Sequence, residues 1–321
     1  SIAGQSIFLA SELILNKNLT IDGESHNITV SGDTDNNGTG NVRVFNMSTG
    51  TVILQNLTIR RGHAGANDGG GIQLTGGTLT LNNCTLSENR TANGVNDYGG
   101  GIYQNGGTLF INSCTVINNV GRGGGLTRHN GTTTVNNSTF IGNTSSGAGG
   151  GIRYENATGG GFTINNSTFS GHPGQAIWLN PVGVLTVNNS SFSGNGGGTG
   201  IGAGIRNEGT LYLRNSILAN RTAGDDCSTI GTIAENINNI VEDGTCNVGT
   251  ILVNFLAGDP NLGALQSNGG TTQTFALISP SIAINSGDNT ICSGININGL
   301  DQRGYLRNDG SCDRRAYEFN A

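Results

Sequence analysis

The sequence predicts an all-β fold, a right-handed parallel β-helix built from coils of three short strands. Three observations lead to this prediction. A segment of similar sequence recurs along the chain, each copy contains short runs of alternating apolar and polar residues, and insertions fall only between these runs. The clearest copies each begin with a glycine triplet, at 69–89, 99–119, 123–143 and 149–171.

Each copy divides into three strands at Gly or Asn turns. In the copy at 99–119 we expect strands at 102–104, 108–111 and 114–116. Aligning the copies at the last turn gives one column of residues, which indicates a solenoid of about eight or more coils with loops of variable length. Because stacked coils repeat every ~4.8 Å, this column is predicted to form an asparagine ladder. The predicted ladder residues are Asn18, Asn56, Asn83, Asn137, Asn166, Asn189 and Asn215.

Two further columns are predicted to fill the interior. One precedes the Asn turn, and the other ends the third strand of each coil. Their members are Leu54, Leu81, Ile111, Val135, Ile164, Val187 and Leu213 in the first, and Ile59, Leu86, Val116, Phe140, Phe169, Phe192 and Leu218 in the second. These columns favour packed coils over the disorder that 56 glycines and 11% charged residues would otherwise suggest.

Charge and the first residues limit the classes of function. The net charge is −6 and Lys17 is the single lysine, so no basic stripe is available to bind nucleic acid. No apolar run is long enough to predict a transmembrane segment. Residues 1–10 contain neither an initiator Met nor a basic segment, and we expect that they follow a removed signal peptide. The expected localisation is therefore secreted, in the medium or at the cell surface.

The coils are expected to occupy residues 1–220, and residues 221–321 are expected to form a C-terminal module that packs on the helix or continues it. The module carries the motifs DDC (225–227), DGTC (243–246), DPNLG (259–263), DQRG (301–304) and CDRRAYE (312–318). With these motifs it resembles the C-terminal module of choice-of-anchor Q domain proteins, which are bacterial secreted β-helix proteins. The coils resemble that family's repeats and, more loosely, polymorphic outer-membrane and pectin-lyase-like repeats. The resemblance implies secretion and surface display without an assigned reaction. Arg314 and Arg315 depart from it, because related chains usually read Ile-Gly there.

Cysteine usage also points to an oxidising compartment. Four of the six cysteines lie as two close pairs in the loop-rich C-terminal module. The predicted disulfides are Cys227–Cys246 and Cys292–Cys312. Cys84 and Cys114 instead occupy one column in neighbouring coils, where aligned positions ~4.8 Å apart exceed the Cβ separation of ~3.8 Å that a disulfide prefers. For that pair, the sequence is compatible with either a disulfide or two buried thiols.

We predict that the protein is not an enzyme. Carbohydrate-active β-helices set two or three carboxylates on adjacent coils, and the outward strand columns of this chain lack them. Asp68 and Asp97, in equivalent loops, are the nearest candidates for a catalytic pair, so a polysaccharide lyase or glycoside hydrolase of the pectin-lyase-like type is the alternative. No cofactor or metal is predicted. Calcium at Asp33 and Asp35 is the one metal alternative, although their loop lacks the distal glutamate of an EF-hand.

Aromatic and arginine residues on and beside the first strands form a candidate ligand strip for surface glycans or proteins. Aromatic rings can stack on sugar rings, and guanidinium groups can pair with carboxylates. Large side chains that merely cover a β-surface are the competing explanation. The strip residues are Tyr103, Arg128, Arg153, Tyr154, Trp178 and Arg206. Repeated outward threonines leave ice binding as a minor alternative, although Thr is also a good strand former.

The N-terminal segment is predicted to mediate assembly. A β-helix exposes an unpaired strand edge at each end, and such edges favour pairing with another chain. Ile2, Ile7, Phe8 and Leu9 form a short apolar segment that we expect to dock on the C-terminal module of the next copy, head to tail. The sequence thus predicts a secreted, non-catalytic structural or adhesive surface protein that is able to form filaments.

Overall fold

The structure is a computed structural model that describes residues 4–92, 97–155, 160–197, 201–295, 297–307 and 310–319. The chain folds as a parallel β-solenoid of about nine turns with almost no helix, which confirms the predicted fold class. Its elements, in chain order, are β1 (Ser6–Phe8), β2 (Leu13–Leu15), β3 (Leu19–Asp22), β4 (Ile28–Ser31), β5 (Phe45–Met47), β6 (Thr51–Gln55), β7 (Leu57–Arg60), β8 (Ile72–Leu74), β9 (Thr78–Asn82), β10 (Thr85–Ser87), β11 (Ile102–Asn112), β12 (Thr115–Ile117), β13 (Val120–Gly121), β14 (Leu126–Asn136), β15 (Thr139–Ile141), β16 (Thr144–Ser145), β17 (Ile152–Tyr154), β18 (Phe162–Asn165), β19 (Thr168–Ser170), β20 (Ile177–Leu179), β21 (Val184–Asn188), β22 (Ser191–Ser193), β23 (Gly202–Asn207), β24 (Thr210–Arg214), β25 (Ile217–Ala219), β26 (Asp225–Thr229), β27 (Thr232–Ile237), β28 (Ile240–Val241), β29 (Ile251–Val253), β30 (Leu262–Gln266), β31 (Thr274–Leu277) and α1 (Asn289–Cys292).

Two strands are longer than the sequence predicts. β11 and β14 each run through the first and second strand positions of a turn without a break. Gly106 and Gly107 lie inside β11 with φ values of 149° and 65°, a region that glycine enters without a Cβ clash. The chain therefore bends there while its pairing continues.

The chain divides into two compact units. The first unit comprises Ser1–Thr133 and Phe140–Gly161, and the second comprises Thr134–Thr139 and Phe162–Ala321. Within each unit, strands of successive turns pair in parallel. β6 pairs with β9 in the first unit, for example, and β21 pairs with β24 in the second.

The predicted core columns are buried in both units. In the first, Ile59, Leu86 and Val116 are fully buried and lie opposite one another in paired strands. In the second, the rings of Phe169 and Phe192 stack with their centroids 4.8 Å apart. Burying a side chain of this size stabilises the fold by roughly 1.5 to 3 kcal/mol. The inward columns therefore supply the main hydrophobic stabilisation of each unit.

The predicted asparagine column occupies left-handed turns, a backbone region that Asn tolerates better than most residues. Its members from Asn56 to Asn215 have φ values between 46° and 56°. Asn83 donates to the side chain of Asn56 at 3.4 Å, as a ladder requires. Asn18 does not belong to the column, because the register of β3 on β6 places it before the strand, where its side chain accepts the amide of Thr51 at 2.8 Å.

More extensive side-chain ladders form at other positions. In the first unit, Asn89 donates to Asn119 and Asn119 donates to Asn143, each at 2.9 Å, and all three residues are fully buried. In the second unit, Asn188 donates to Asn165 at 2.9 Å, one residue before the left-handed turn. Asparagine ladders therefore exist, but most of them lie outside the predicted column.

Paired coils continue past the predicted boundary at residue 220. β27 pairs with β24, and β29 pairs with β27, so the solenoid of the second unit extends to Val253. The described residues between 254 and 319, which we call the side module, lie against the left-handed turns of that unit. Asn166 donates to the carbonyl of Leu300 at 2.9 Å, and Asn215 donates to the carbonyl of Asp288 at 3.1 Å. In the second unit these column asparagines bind the side module.

Both predicted disulfides are present. Their Cα atoms lie 5.7 Å apart in Cys227–Cys246 and 6.6 Å apart in Cys292–Cys312. Cys84 and Cys114 are buried free thiols, and the sulfur of Cys114 accepts the amide of Cys84 at 3.3 Å. Of the two alternatives that the sequence allowed for this pair, the structure therefore has two thiols and not a disulfide.

The predicted assembly segment has mixed exposure. Ile2 lies outside the described residues. Ile7 and Phe8 in β1 are 43% and 41% exposed, whereas Leu9 is buried. The side module packs along the turns of the second unit, while all three residues of β29, its last paired solenoid strand, are exposed. β29 lies within the predicted C-terminal module, 221–321, so an exposed strand is present there for the N-terminal segment to pair with. Head-to-tail assembly stays a prediction.

Candidate functional site

Loops of the first unit form a rim beside the first strand of each turn. Four of these loops end in a glycine triplet, and the triplets stack through backbone hydrogen bonds, such as the 3.2 Å bond from the amide of Gly70 to the carbonyl of Gly99. At Gly99, where φ is 65°, a Cβ atom would lie 2.2 Å from the carbonyl oxygen of Ile102. The tight bend between this loop and the strand that follows therefore requires glycine there, and the residue before the triplet lies at the rim. Those preceding residues are Asp68, Tyr98, Arg122 and Ala148.

Asp68 is fixed by contacts to both its side chain and its backbone. Its Oδ1 atom accepts the amide of Tyr98 at 2.8 Å, and its carbonyl accepts Nη2 of Arg43 at 3.0 Å. Burial raises the pKa of Asp68 above the ordinary aspartate value, and the charge of Asp97 raises it further. This carboxyl group is therefore easier to protonate than that of an exposed aspartate.

Three rings gather beside Asp68. The centroids of Tyr98 and Tyr103 lie 6.1 Å apart with their planes 21° from parallel, and His129 makes an edge contact with each at 6.4 Å. Tyr103 is hydrogen-bonded to Asp68. Burial, reinforced by the Asp68 charge, raises the pKa of Tyr103 to about 12. Its phenol therefore remains a neutral hydrogen-bond donor at physiological pH.

Arginines flank the rings. The guanidinium of Arg122 lies 5.0 Å from the centre of the Tyr98 ring, and Nε of Arg153 lies 2.5 Å from Oε2 of Glu155. Burial lowers the pKa of Arg153, although Glu155 opposes that shift. Flat ring faces beside a carboxylate and a guanidinium can hold a ligand that has both apolar faces and polar edges. We call Asp68, Tyr98, Tyr103, Arg122 and His129 the rim cluster.

A cleft of ≈ 270 Å³ adjoins the rim cluster in the same unit. Arg43 connects the two, because it contacts Glu12 in the cleft and the carbonyl of Asp68. Burial, followed by the charge of Arg90, lowers the pKa of His63 in the cleft wall. The lining residues are Ser11, Glu12, Val42, Arg43, His63, Ala64 and Asn67.

In the first unit, the predicted ligand strip lies only partly on this surface. Tyr103 belongs to the rim cluster and Arg153 lies in the same outward column, although they are only 6% and 4% exposed. Arg128 and Tyr154 were wrongly assigned, because both are buried, with the guanidinium 4.3 Å from the ring centre. Each follows an outward residue by one position, so the alternation of a strand turns it inward.

The strip residues of the second unit form a contact of their own. Trp178 and Arg206 lie opposite each other in β20 and β23. Nε1 of Trp178 donates to Glu208 at 3.1 Å, and the guanidinium of Arg206 lies 2.5 Å from the same carboxylate. Both polar groups are therefore engaged with Glu208.

In the candidate calcium loop, backbone amides of the same loop bind the Asp33 carboxylate. The carboxylate of Asp33 accepts the amides of Asn37 at 3.1 Å and Gly38 at 2.8 Å, and it lies 3.3 Å from Arg61. Burial raises the pKa of Asp33, but these hydrogen bonds outweigh it and the net shift is downward. Among the residues that the structure describes, no group of three or more His, Cys, Asp or Glu side chains is placed to hold a metal ion.

The strand columns of the sequence do not single out Tyr98, Arg122 or His129. Tyr98 and Arg122 nevertheless share one sequence signal with Asp68, because each immediately precedes a glycine triplet. His129 lies two positions after outward Thr127 in β14, so strand alternation places it on the same face. The Asp68 and Asp97 loops do come together, but the Asp97 side chain is buried.

Comparison with known proteins identifies the fold family. Within the described ranges, no helix is long and apolar enough to cross a membrane. A family model described as right handed beta helix region matches residues 17–180, about half of the chain. No curated protein and no solved structure matches the chain. The parallel coils and the family match agree, and the chain belongs to the right-handed β-helix family.

Proposed function

We propose that the protein is a secreted, non-catalytic β-helix protein that binds glycans through the rim cluster. The observation that carries the proposal is the group of three rings, 6.1 to 6.4 Å apart, beside Asp68 and Arg122. Sugar rings pack their C–H faces on aromatic rings, and their hydroxyl and carboxylate groups bond to carboxylate and guanidinium side chains. An adhesive role outside the cell follows from such binding.

Two features support the extracellular setting. The two disulfides are typical of proteins that fold in an oxidising compartment. The DQRG and CDRRAYE motifs resemble those of choice-of-anchor Q domain proteins, which supports display on a bacterial surface.

Affinity electrophoresis in native gels tests the binding proposal. The gels contain polygalacturonate, alginate, xylan or β-glucan as the immobile probe. We expect at least one polysaccharide to retard the wild-type protein and Tyr98→Ala to abolish the retardation. Tyr212→Ala is the matched control, because Tyr212 is a tyrosine of the second unit that contacts Arg214. Free migration of the wild type in every gel, or equal retardation of Tyr98→Ala, contradicts the proposal.

A polysaccharide lyase or glycoside hydrolase is the second candidate. The raised pKa of Asp68 and its hydrogen bond to Tyr103 favour it, since an acid or base near a ligand needs such a perturbed carboxyl group. Incubation with the same polysaccharides, followed by measurement of reducing ends and unsaturated products, distinguishes the two. Turnover that Asp68→Asn abolishes would replace the binding proposal with a catalytic one.

A further inference from the structure

Arg315 is a buried cation that lacks a hydrogen-bond acceptor. Its side chain, in the side module, is fully buried, and Nε, Nη1 and Nη2 have no hydrogen-bond partner among the residues that the structure describes. A guanidinium carries five N–H donors and keeps its charge at physiological pH. Burying such a group without hydrogen-bond acceptors is strongly unfavourable. The site therefore calls for an acceptor with negative charge.

The other arginines of the side module are matched. Nε of Arg303 lies 2.7 Å from Asp301, and Nη1 of Arg307 lies 2.7 Å from Glu318. Arg314 donates to three backbone carbonyl oxygens at 2.8 to 3.2 Å. Among the arginines described in the side module, Arg315 is therefore the one whose guanidinium has no acceptor.

The remaining buried carboxylate, Asp313, does not hydrogen-bond to Arg315. It accepts the amides of Asn285 at 2.7 Å and Phe319 at 2.6 Å, and it acts on Arg315 through its charge alone. The described part of the side module thus buries four guanidinium groups, at 303, 307, 314 and 315, against three carboxylates, at 301, 313 and 318. Four minus three leaves one positive charge in excess.

A ring face lies beside Arg315. Its guanidinium lies 5.0 Å from the ring centre of Tyr317, and Arg303 lies 3.8 Å from the same ring. A ring face attracts a cation, but it supplies no ordinary hydrogen-bond acceptor.

The backbone also holds Arg315 at an energetic cost. Its φ is 145°, in the region that favours glycine. An arginine in such a conformation is retained only where the surrounding structure enforces it, and such outliers cluster at functional sites. Strain, burial and an unmatched charge therefore coincide at one residue.

We propose that Arg315 binds a small monovalent inorganic anion of the chloride class within the side module. One negative charge equals the charge in excess, and a spherical anion can accept several N–H donors at once. The bound anion would stabilise the side module next to Ala316, whose amide donates to Ser191 of the solenoid at 3.4 Å. This proposal is independent of glycan binding.

Thermal unfolding in sodium chloride and in sodium gluconate of equal ionic strength tests the anion site. The midpoint of the wild type should rise with chloride concentration, as expected for a ligand that binds only the folded state. The difference between the salts should vanish in Arg315→Gly, which also suits the backbone at that position. Arg60→Ala, which removes an arginine paired with Glu88 in the first unit, should keep the difference.

Two further readouts protect the test against a folding defect. Arg315→Lys keeps the charge and should retain part of the chloride response. Crystals of the wild type soaked in bromide should show an anomalous peak within hydrogen-bonding distance of Arg315. Identical wild-type midpoints in both salts, an undiminished chloride response in Arg315→Gly, or no bromide beside Arg315 would overturn the proposal.

Discussion

Replacing Asn119 with Ala should strongly destabilise the first unit. The Asn119 side chain donates to Asn143 and to the carbonyl of Leu86, each at 2.9 Å, and it accepts the amide and the side chain of Asn89 at 3.0 and 2.9 Å. Each bond contributes about 1 kcal/mol net, and the partners that lose them are buried. We therefore expect the free energy of unfolding to fall by about 3 to 5 kcal/mol.

Urea unfolding followed by circular dichroism measures this loss. Asn83→Gly is the matched control, because Asn83 is exposed, makes a single long ladder bond of 3.4 Å and has a φ of 51° that glycine tolerates. The control should lose less than about 1 kcal/mol. An unchanged midpoint for Asn119→Ala, or an equal loss in the control, would refute the structural role of the buried ladder.

The remaining predictions concern pH, covalent links and assembly. Burial, followed by the charge of Asp243, raises the pKa of Asp226 to about 6. The Asp226 carboxyl group therefore binds its proton more tightly in the folded chain than in the unfolded chain. Its stabilising contribution, about 3 kcal/mol, should be lost as the pH rises from about 4 to above 6, and Asp226→Asn should remove that dependence from urea midpoints; matching pH profiles would contradict this. Mass spectrometry of an unreduced digest should recover both disulfides and the two thiols; four free thiols in the C-terminal region of natively isolated protein would contradict the extracellular setting. Light scattering at high concentration should detect association that Leu252→Lys in β29 suppresses, whereas a monodisperse wild type would exclude head-to-tail assembly.

Local periodicity was sufficient to predict the fold. Alternation places one set of residues inside each coil, and parallel stacking repeats that set, so the core columns could be aligned without a structure. The alignment failed at Asn18, where the first coil departs from the others. The register of β3 on β6 puts Gly23 opposite Asn56, and a Cβ on Gly23 would lie 2.1 Å from the Asn56 carbonyl oxygen. The close approach of the Asn56 carbonyl therefore requires glycine at position 23, where the column would otherwise place an asparagine.

The candidate site was harder to predict because its residues come from loops of different length. Stacked glycine triplets align Tyr98 and Arg122 in neighbouring turns. Both residues lie in loops, so the alternation pattern of the strands does not predict their positions. Arg128 and Tyr154 could have been excluded by alternation alone. The contact between Asn166 and Leu300 joins residues 134 positions apart, so no local pattern reports it.

Titration with an oligosaccharide derived from the retaining polysaccharide, followed by mass spectrometry of that oligosaccharide, tests most directly whether the rim cluster binds glycans without converting them. We expect saturable binding that Tyr98→Ala weakens about ten-fold or more, a loss of at least ~1.4 kcal/mol, and complete recovery of the unchanged oligosaccharide. Binding that Tyr98→Ala leaves intact, or shortened and unsaturated products that depend on Asp68, would contradict it.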